Sequence, residues 1–136
     1  MISNNAIKDS DWDGTYYDYY PQTLTANSDS GAGSTVGADV CFVEVTAANA
    51  GVDDWIVLPS AIQGKKVTVN ASVGANFEIR TPASSNETIN NVDSDGSNEY
   101  LATDTDTIIF TCPEDGVWIG VSYTNLGAVR AAVVPD

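Results

Sequence analysis

The chain has 136 residues, with 19 acidic and 5 basic side chains, a net charge of −14 and no histidine. A chain of this length builds one domain that buries roughly two-thirds of its unfolded surface, enough for a core without metals or disulfides. The charge disfavours nucleic acid and anionic membrane as partners, and the missing histidine excludes a Ser-His-Asp or Cys-His device within the chain.

Met1-Ile2-Ser3-Asn4-Asn5 has neither the basic region nor the apolar core of a secretory signal. No apolar run approaches the ~20 residues that cross a bilayer. The chain is therefore expected to fold in the cytosol, where Cys41 and Cys112 are expected to be reduced, buried and unreactive. A pairing of the two stays open. Residues 1–22 interleave Trp12, Tyr16, Tyr17, Tyr19 and Tyr20 with Asp9, Asp11, Asp13 and Asp18, and Pro21 closes the segment. Aromatics this dense in a polar stretch pack on something. Either they cover the domain's own open end or they dock on a neighbouring subunit, so these five residues are the candidate interface. Residues 26–39 are mostly Gly, Ser, Ala, Asn and Asp, which reads as a flexible loop. Residues 1–39 then form an arm and loop, and residues 40–136 a β-domain.

Strand signals follow in order. Val40–Thr46 is a strand with imperfect alternation. Trp55-Ile56-Val57-Leu58 is a short apolar run, as in a sandwich core, ended by Pro59. Lys65–Ala71 places Val67 and Val69 on one side, and Phe77–Thr81 alternates with Phe77 and Ile79 inward. Thr88–Val92 is a short strand and Tyr100-Leu101-Ala102 opens another. Thr105–Cys112 is the strongest strand in the chain. Pro113-Glu114-Asp115-Gly116 is a turn, answered by Val117–Tyr123 with Val117, Ile119, Val121 and Tyr123 on one face. Val129–Val134 is a terminal strand. The expected fold is all-β: a single antiparallel sandwich or barrel of about eight strands, jelly-roll-like or immunoglobulin-like.

Several constellations carry a chemical reading beside a bland one. Asp11-Trp12-Asp13-Gly14 and Asp93-Ser94-Asp95-Gly96 each read D-x-D-G, and Asp104 and Asp106 alternate. Hard cations want such oxygens, but the full calcium-loop pattern is absent and Asp and Gly are ordinary turn residues. No metal set is assigned. Cys41, Trp55, Phe110 and Cys112 fall at immunoglobulin-like spacings, with Phe in place of the corner Tyr. Tyr100, Trp118 and Tyr123 suggest a sugar platform or, more simply, core. No two acids, Glu44, Glu78 and Glu87 included, are marked as a glycosidase pair.

One ordered set of motifs resembles a known family. Ile56-Val57-Leu58-Pro59 is followed by Gly64-Lys65-Lys66-Val67-Thr68-Val69-Asn70, Ile79-Arg80-Thr81-Pro82 and Glu87-Thr88-Ile89-Asn90-Asn91. Tyr100-Leu101, Ile109-Phe110-Thr111-Cys112 and Gly116-Val117-Trp118 complete it. The series, covering about half of the chain, resembles the β-domain of tailed-bacteriophage capsid decoration proteins and related head-fibre modules. The resemblance implies a non-enzymatic virion protein without cofactors, often trimeric, that binds the major capsid protein and reinforces the shell from outside. It would be synthesised in the host bacterial cytoplasm. The alternative is a receptor- or carbohydrate-binding tip domain of a head or tail fibre. The aromatic arm and the Gly/Ser-rich run have no counterpart in the family pattern.

Overall fold

The computed structural model describes residues 21–27, 34–47, 54–94 and 99–130. Among them are eleven strands and no helix: β1 (Gln22–Ala26), β2 (Ser34–Thr35), β3 (Phe42–Ala47), β4 (Trp55–Val57), β5 (Lys66–Ala71) and β6 (Phe77–Arg80), then β7 (Thr88–Ile89), β8 (Val92–Asp93), β9 (Tyr100–Ala102), β10 (Thr107–Glu114) and β11 (Val117–Tyr123). They form a seven-stranded sheet, β1-β3-β5-β10-β11-β7-β8, and a four-stranded sheet, β2-β4-β6-β9.

From β1 to β7 successive strands fall in alternate sheets, so the chain winds as a coil. Gln22 lies beside Val43 and Val43 beside Val69 in one sheet; Ser34 lies beside Ile56 and Ile56 beside Ile79 in the other. Each turn of the coil takes about two dozen residues. All four of these pairings are parallel, because a strand that crosses to the second sheet and returns re-enters in its original direction. The expected arrangement of about eight antiparallel strands therefore gives way to mixed sheets. The expectation of a Gly/Ser-rich loop also changes. β1 and β2 fall in or beside that run, and Ala26 and Val36 are buried in the core.

The coil is in register with itself. Ile56-Val57-Leu58-Pro59 stacks on Ile79-Arg80-Thr81-Pro82, and the Leu58 amide donates to the Arg80 carbonyl at 2.8 Å. Each proline stands where the strand ends, since it has no N–H to continue a ladder.

The second half is antiparallel except where β7 joins β11 in parallel. β10 pairs with both β5 and β11, and the β10–β11 turn closes at Asp115-Gly116, with Gly116 at φ +85°. The expected short strand at 88–92 is instead a hairpin, β7 and β8, turned at Asn90-Asn91. Both residues have positive φ, 51° and 69°, the backbone such a two-residue turn demands and Asn tolerates best after Gly. The Asn90 side chain adds a second function. Its Oδ1 accepts the Gly120 amide at 2.9 Å and its Nδ2 donates to the Gly120 carbonyl at 3.2 Å. The amide thus imitates a strand partner where β7 has ended.

The core lies between the sheets. Val43, Val45, Val67, Val69, Ile108, Phe110 and Trp118 meet Ile56, Phe77, Ile79 and Tyr100 from the other side. Tyr100 and Phe110 pack edge to face at 5.3 Å, and Phe110 and Trp118 at 6.4 Å. Gly120 is required here: a Cβ would fall 2.7 Å from the Phe110 ring and 3.1 Å from that of Tyr100. On β11 the inward residues are Trp118, Gly120 and Ser122. Val117, Ile119, Val121 and Tyr123 do share a face, and it is the outer one.

Candidate functional site

The richest side-chain grouping outside the core lies on the outer face of the four-stranded sheet. Alternation along β4 and β6 turns Ile56, Phe77 and Ile79 inward and Trp55, Val57, Glu78 and Arg80 outward. The register sets Trp55 beside Glu78 and Val57 beside Arg80. The Arg80 guanidinium lies 4.0 Å from the centre of the Trp55 ring, a cation–π contact. Its Nη2 meets Glu78 at 3.0 Å and Glu99 at 3.7 Å, while its buried Nε has no partner. Burial, and then the neighbouring Glu99 carboxylate, push the Glu78 carboxyl above its ordinary pKa against the pull of Arg80.

Below this cluster is a cavity of about 580 Å³, lined by Thr35–Ala38, Trp55, Val57–Ser60 and Arg80–Ala83. Three successive turns of the coil contribute equivalent segments to it. Its wall is mainly apolar, with Pro59 and Pro82 stacked in register. Arg80 supplies charge, and Thr35, Ser60 and Thr81 carry hydroxyls. Such a wall can hold a neutral ligand with an apolar face and a few hydroxyls, or a protein side chain. It contains no nucleophile–base pair.

Of the residues expected from the sequence, those that are described take no part in this cluster apart from Trp55 and Glu78. Trp12, Tyr16, Tyr17, Tyr19 and Tyr20 lie outside the described residues, as does Asp11–Gly14. Asp95–Asn98 also lies outside them. Asp104 and Asp106 serve protein partners. Asp104 Oδ1 accepts the Gly74 amide at 2.8 Å, joining two turns. Asp106 is buried, and Arg130 Nε donates to its two carboxylate oxygens at 2.8 and 2.7 Å. Among the described residues no three Asp, Glu or Cys side chains converge on a common point.

Tyr100 and Trp118 cannot form a sugar platform, because both are wholly buried. The Tyr100 hydroxyl bonds the Ser122 hydroxyl at 2.7 Å, and burial pushes its pKa up. Cys112 is buried, with its thiol pKa raised by desolvation and its Sγ–H donating to the Glu114 carbonyl. Cys41 is exposed, contrary to expectation, because it stands at a bend just before β3. The two thiols are free. The Cys41 carbonyl accepts the β5 amide of Thr68, so both cysteines belong to the seven-stranded sheet rather than to opposite sheets as an immunoglobulin bridge requires. Among the acids, Glu44 accepts from Ser72, and Glu87 Oε2 accepts the Ala61 amide.

Sequence reading missed the Trp55–Arg80 pair. Its signal is the recurrence of Ile-x-x-Pro at Ile56 and Ile79, which shows the pair only once the coil is known. The chain matches no family model, no curated protein and no solved structure.

Proposed function

We propose that the protein is a non-enzymatic virion component that decorates and stabilises the exterior of a bacteriophage capsid, bound to the major capsid protein. The supporting observation is where the family-like motifs lie in the fold. Leu58-Pro59 and Thr81-Pro82 end successive turns of the coil, Asn90 clamps Gly120, Gly116 turns the hairpin and Trp118 fills the core. The resemblance thus rests on residues that define a scaffold, not on residues of a reaction site. A body of this kind suits a load-bearing surface. In this reading the protein is a two-sheet β-sandwich that works as a homo-oligomer, with a trimer favoured. Trp12, Tyr16, Tyr17, Tyr19 and Tyr20 dock on the shell or between subunits. It takes no cofactor, nucleic acid or membrane as partner.

The test is binding of the purified full chain to capsids that lack it. Saturable binding, with a raised temperature of shell disruption, is the expected outcome. Replacing the five arm aromatics by Ser should abolish binding while the free protein still folds, as read by its far-ultraviolet circular dichroism. Unchanged occupancy by that variant would refute the docking role of the arm.

The cavity beside Trp55 and Arg80 favours a second reading, a receptor- or carbohydrate-binding tip domain of a fibre. Glycan-array binding that disappears in Trp55→Ala would establish it, and a blank array would count against it.

A further inference from the structure

The hairpin β10–β11 turns its more aliphatic side away from the core. Ile109 on β10 and Val117, Ile119 and Val121 on β11 all lie on the outer face of the seven-stranded sheet. Ile109 stands in register between Thr68 and Val121, and Phe42 stands in register with Thr68. The result is an uncharged row, Phe42–Thr68–Ile109–Val121, running across four strands. Phe42 is 40% exposed and Val121 37%. The row carries no charged side chain although the chain has a net charge of −14. Beside it lies Lys66, an exposed cation whose register partner is Thr111.

We propose that this band is the resting place of the chain's own N-terminal aromatic segment, Trp12–Tyr20, in the free protein. Three observations single out that occupant. The first is reach. The segment joins the fold at Gln22, the start of β1, an edge strand of this same sheet. β11 is four strands away, ~19 Å at the usual strand spacing. The residues from Trp12 to Pro21 span up to ~30 Å when extended. The second is chemistry. Aromatic side chains with one polar end suit an aliphatic band bordered by threonines. The third is charge. Residues 1–20 carry four aspartates against one lysine, and Lys66 borders the band along one side, with Glu44 along the other. A tethered segment also outcompetes a second copy at ordinary concentrations, because its effective concentration is in the millimolar range for short linkers. The proposal concerns the free protein and stands whether or not the chain decorates a capsid.

The experiment is hydroxyl-radical footprinting of the full chain, read by mass spectrometry at Trp12, Tyr16, Tyr17, Tyr19 and Tyr20. It is run at several protein concentrations, with sedimentation velocity alongside. The expected result is labelling several-fold slower than in the same chain unfolded in urea, independent of concentration. Protection should fall in Ile119→Asp/Val121→Asp. It should also fall in Lys66→Glu, which leaves the apolar packing intact and keeps the proposal testable if the double variant does not fold. Full labelling of the five aromatics in the unaltered chain would overturn the proposal. So would protection that appears only as the chain self-associates, which would assign the band to a second copy. Capsid binding is not read in this experiment, so its outcome is separate from that of the decoration reading.

Discussion

The coil of β1–β6 and the hairpins β7–β8 and β10–β11 are built by different rules. In the hairpins, the two strands are neighbours in sequence, and the turn residues set the register: Asn90-Asn91 for β7–β8 and Asp115-Gly116 for β10–β11, while β9 between them returns to β6 in the other sheet. In the coil, each strand meets one about two dozen residues away, and no turn fixes the pairing. Register there comes from side chains that must all fall inward together, such as Val43 with Val69 and Ile56 with Ile79. Point changes should therefore act locally and sharply in the hairpins. In the coil they should act in proportion to lost volume.

The sharpest break is expected at the core end of the hairpins. Trp118→Ala should cost about 3–5 kcal/mol, read as a fall in the urea midpoint. Gly120→Ala should cost about 1–3 kcal/mol despite adding only a methyl, because the rings of Phe110 and Tyr100 stand in its way. A coil residue of similar burial makes the contrast. Ile56→Val should cost only about 0.5–1.5 kcal/mol. An equal loss at Gly120 and Ile56 would erase the distinction between the two regions.

Next comes the clasp beyond β11. Arg130→Ala leaves the Asp106 carboxylate buried and unpaired. The loss should be about 1–2 kcal/mol, below the ~3–5 kcal/mol of a fully buried pair because the Arg130 side chain is 39% exposed. Asn90→Ala should cost about 1–2 kcal/mol through the two lost bonds to Gly120. Asn91→Gly should change stability by less than ~0.5 kcal/mol, since Gly accepts the same positive φ. Chemical denaturation of both variants checks the pair.

The smallest effect is expected at Glu78 and is one of pH. Its folded pKa is raised above the ordinary value of 4.5, so the folded state holds the proton more tightly than the unfolded one. Its contribution therefore favours folding at acid pH and fades as pH rises through the raised pKa. Glu99→Gln removes the neighbouring negative charge and should move the Glu78 titration back toward 4.5, as followed by carboxyl NMR. An unmoved titration would leave burial alone as the cause.

The same contrast explains what could be read in advance. Both strands of β10–β11 are legible as strong β runs, but their turn is only partly so: Pro113 and Glu114, expected in the turn, end β10, and Asp115-Gly116 alone make it. Simple alternation alone turns Phe77 and Ile79 inward, as they are in the structure. The parallel pairings were not legible, since nothing near Val43 points to Val69. β1 and β2 lie in a stretch that reads as arm and loop, because Gly, Ser, Ala, Asn and Asp dominate residues 26–39 and no long apolar run precedes them. Their strand state depends on partners supplied by β3 and β4. The face of β11 was the hardest to assign. Val117, Ile119, Val121 and Tyr123 make the greasier side, but Trp118 has the volume and Gly120 the clearance that the core requires. The Trp55–Arg80 site was hidden for the same reason as the coil, because its residues meet only through that register.

The most direct test of the proposed role is the copy number of this chain on purified phage particles, measured by quantitative mass spectrometry against the major capsid protein. A capsid decoration protein should be present in a fixed, high ratio that persists through density-gradient purification. Absence from the particles, or a trace amount that washes away, would contradict that role.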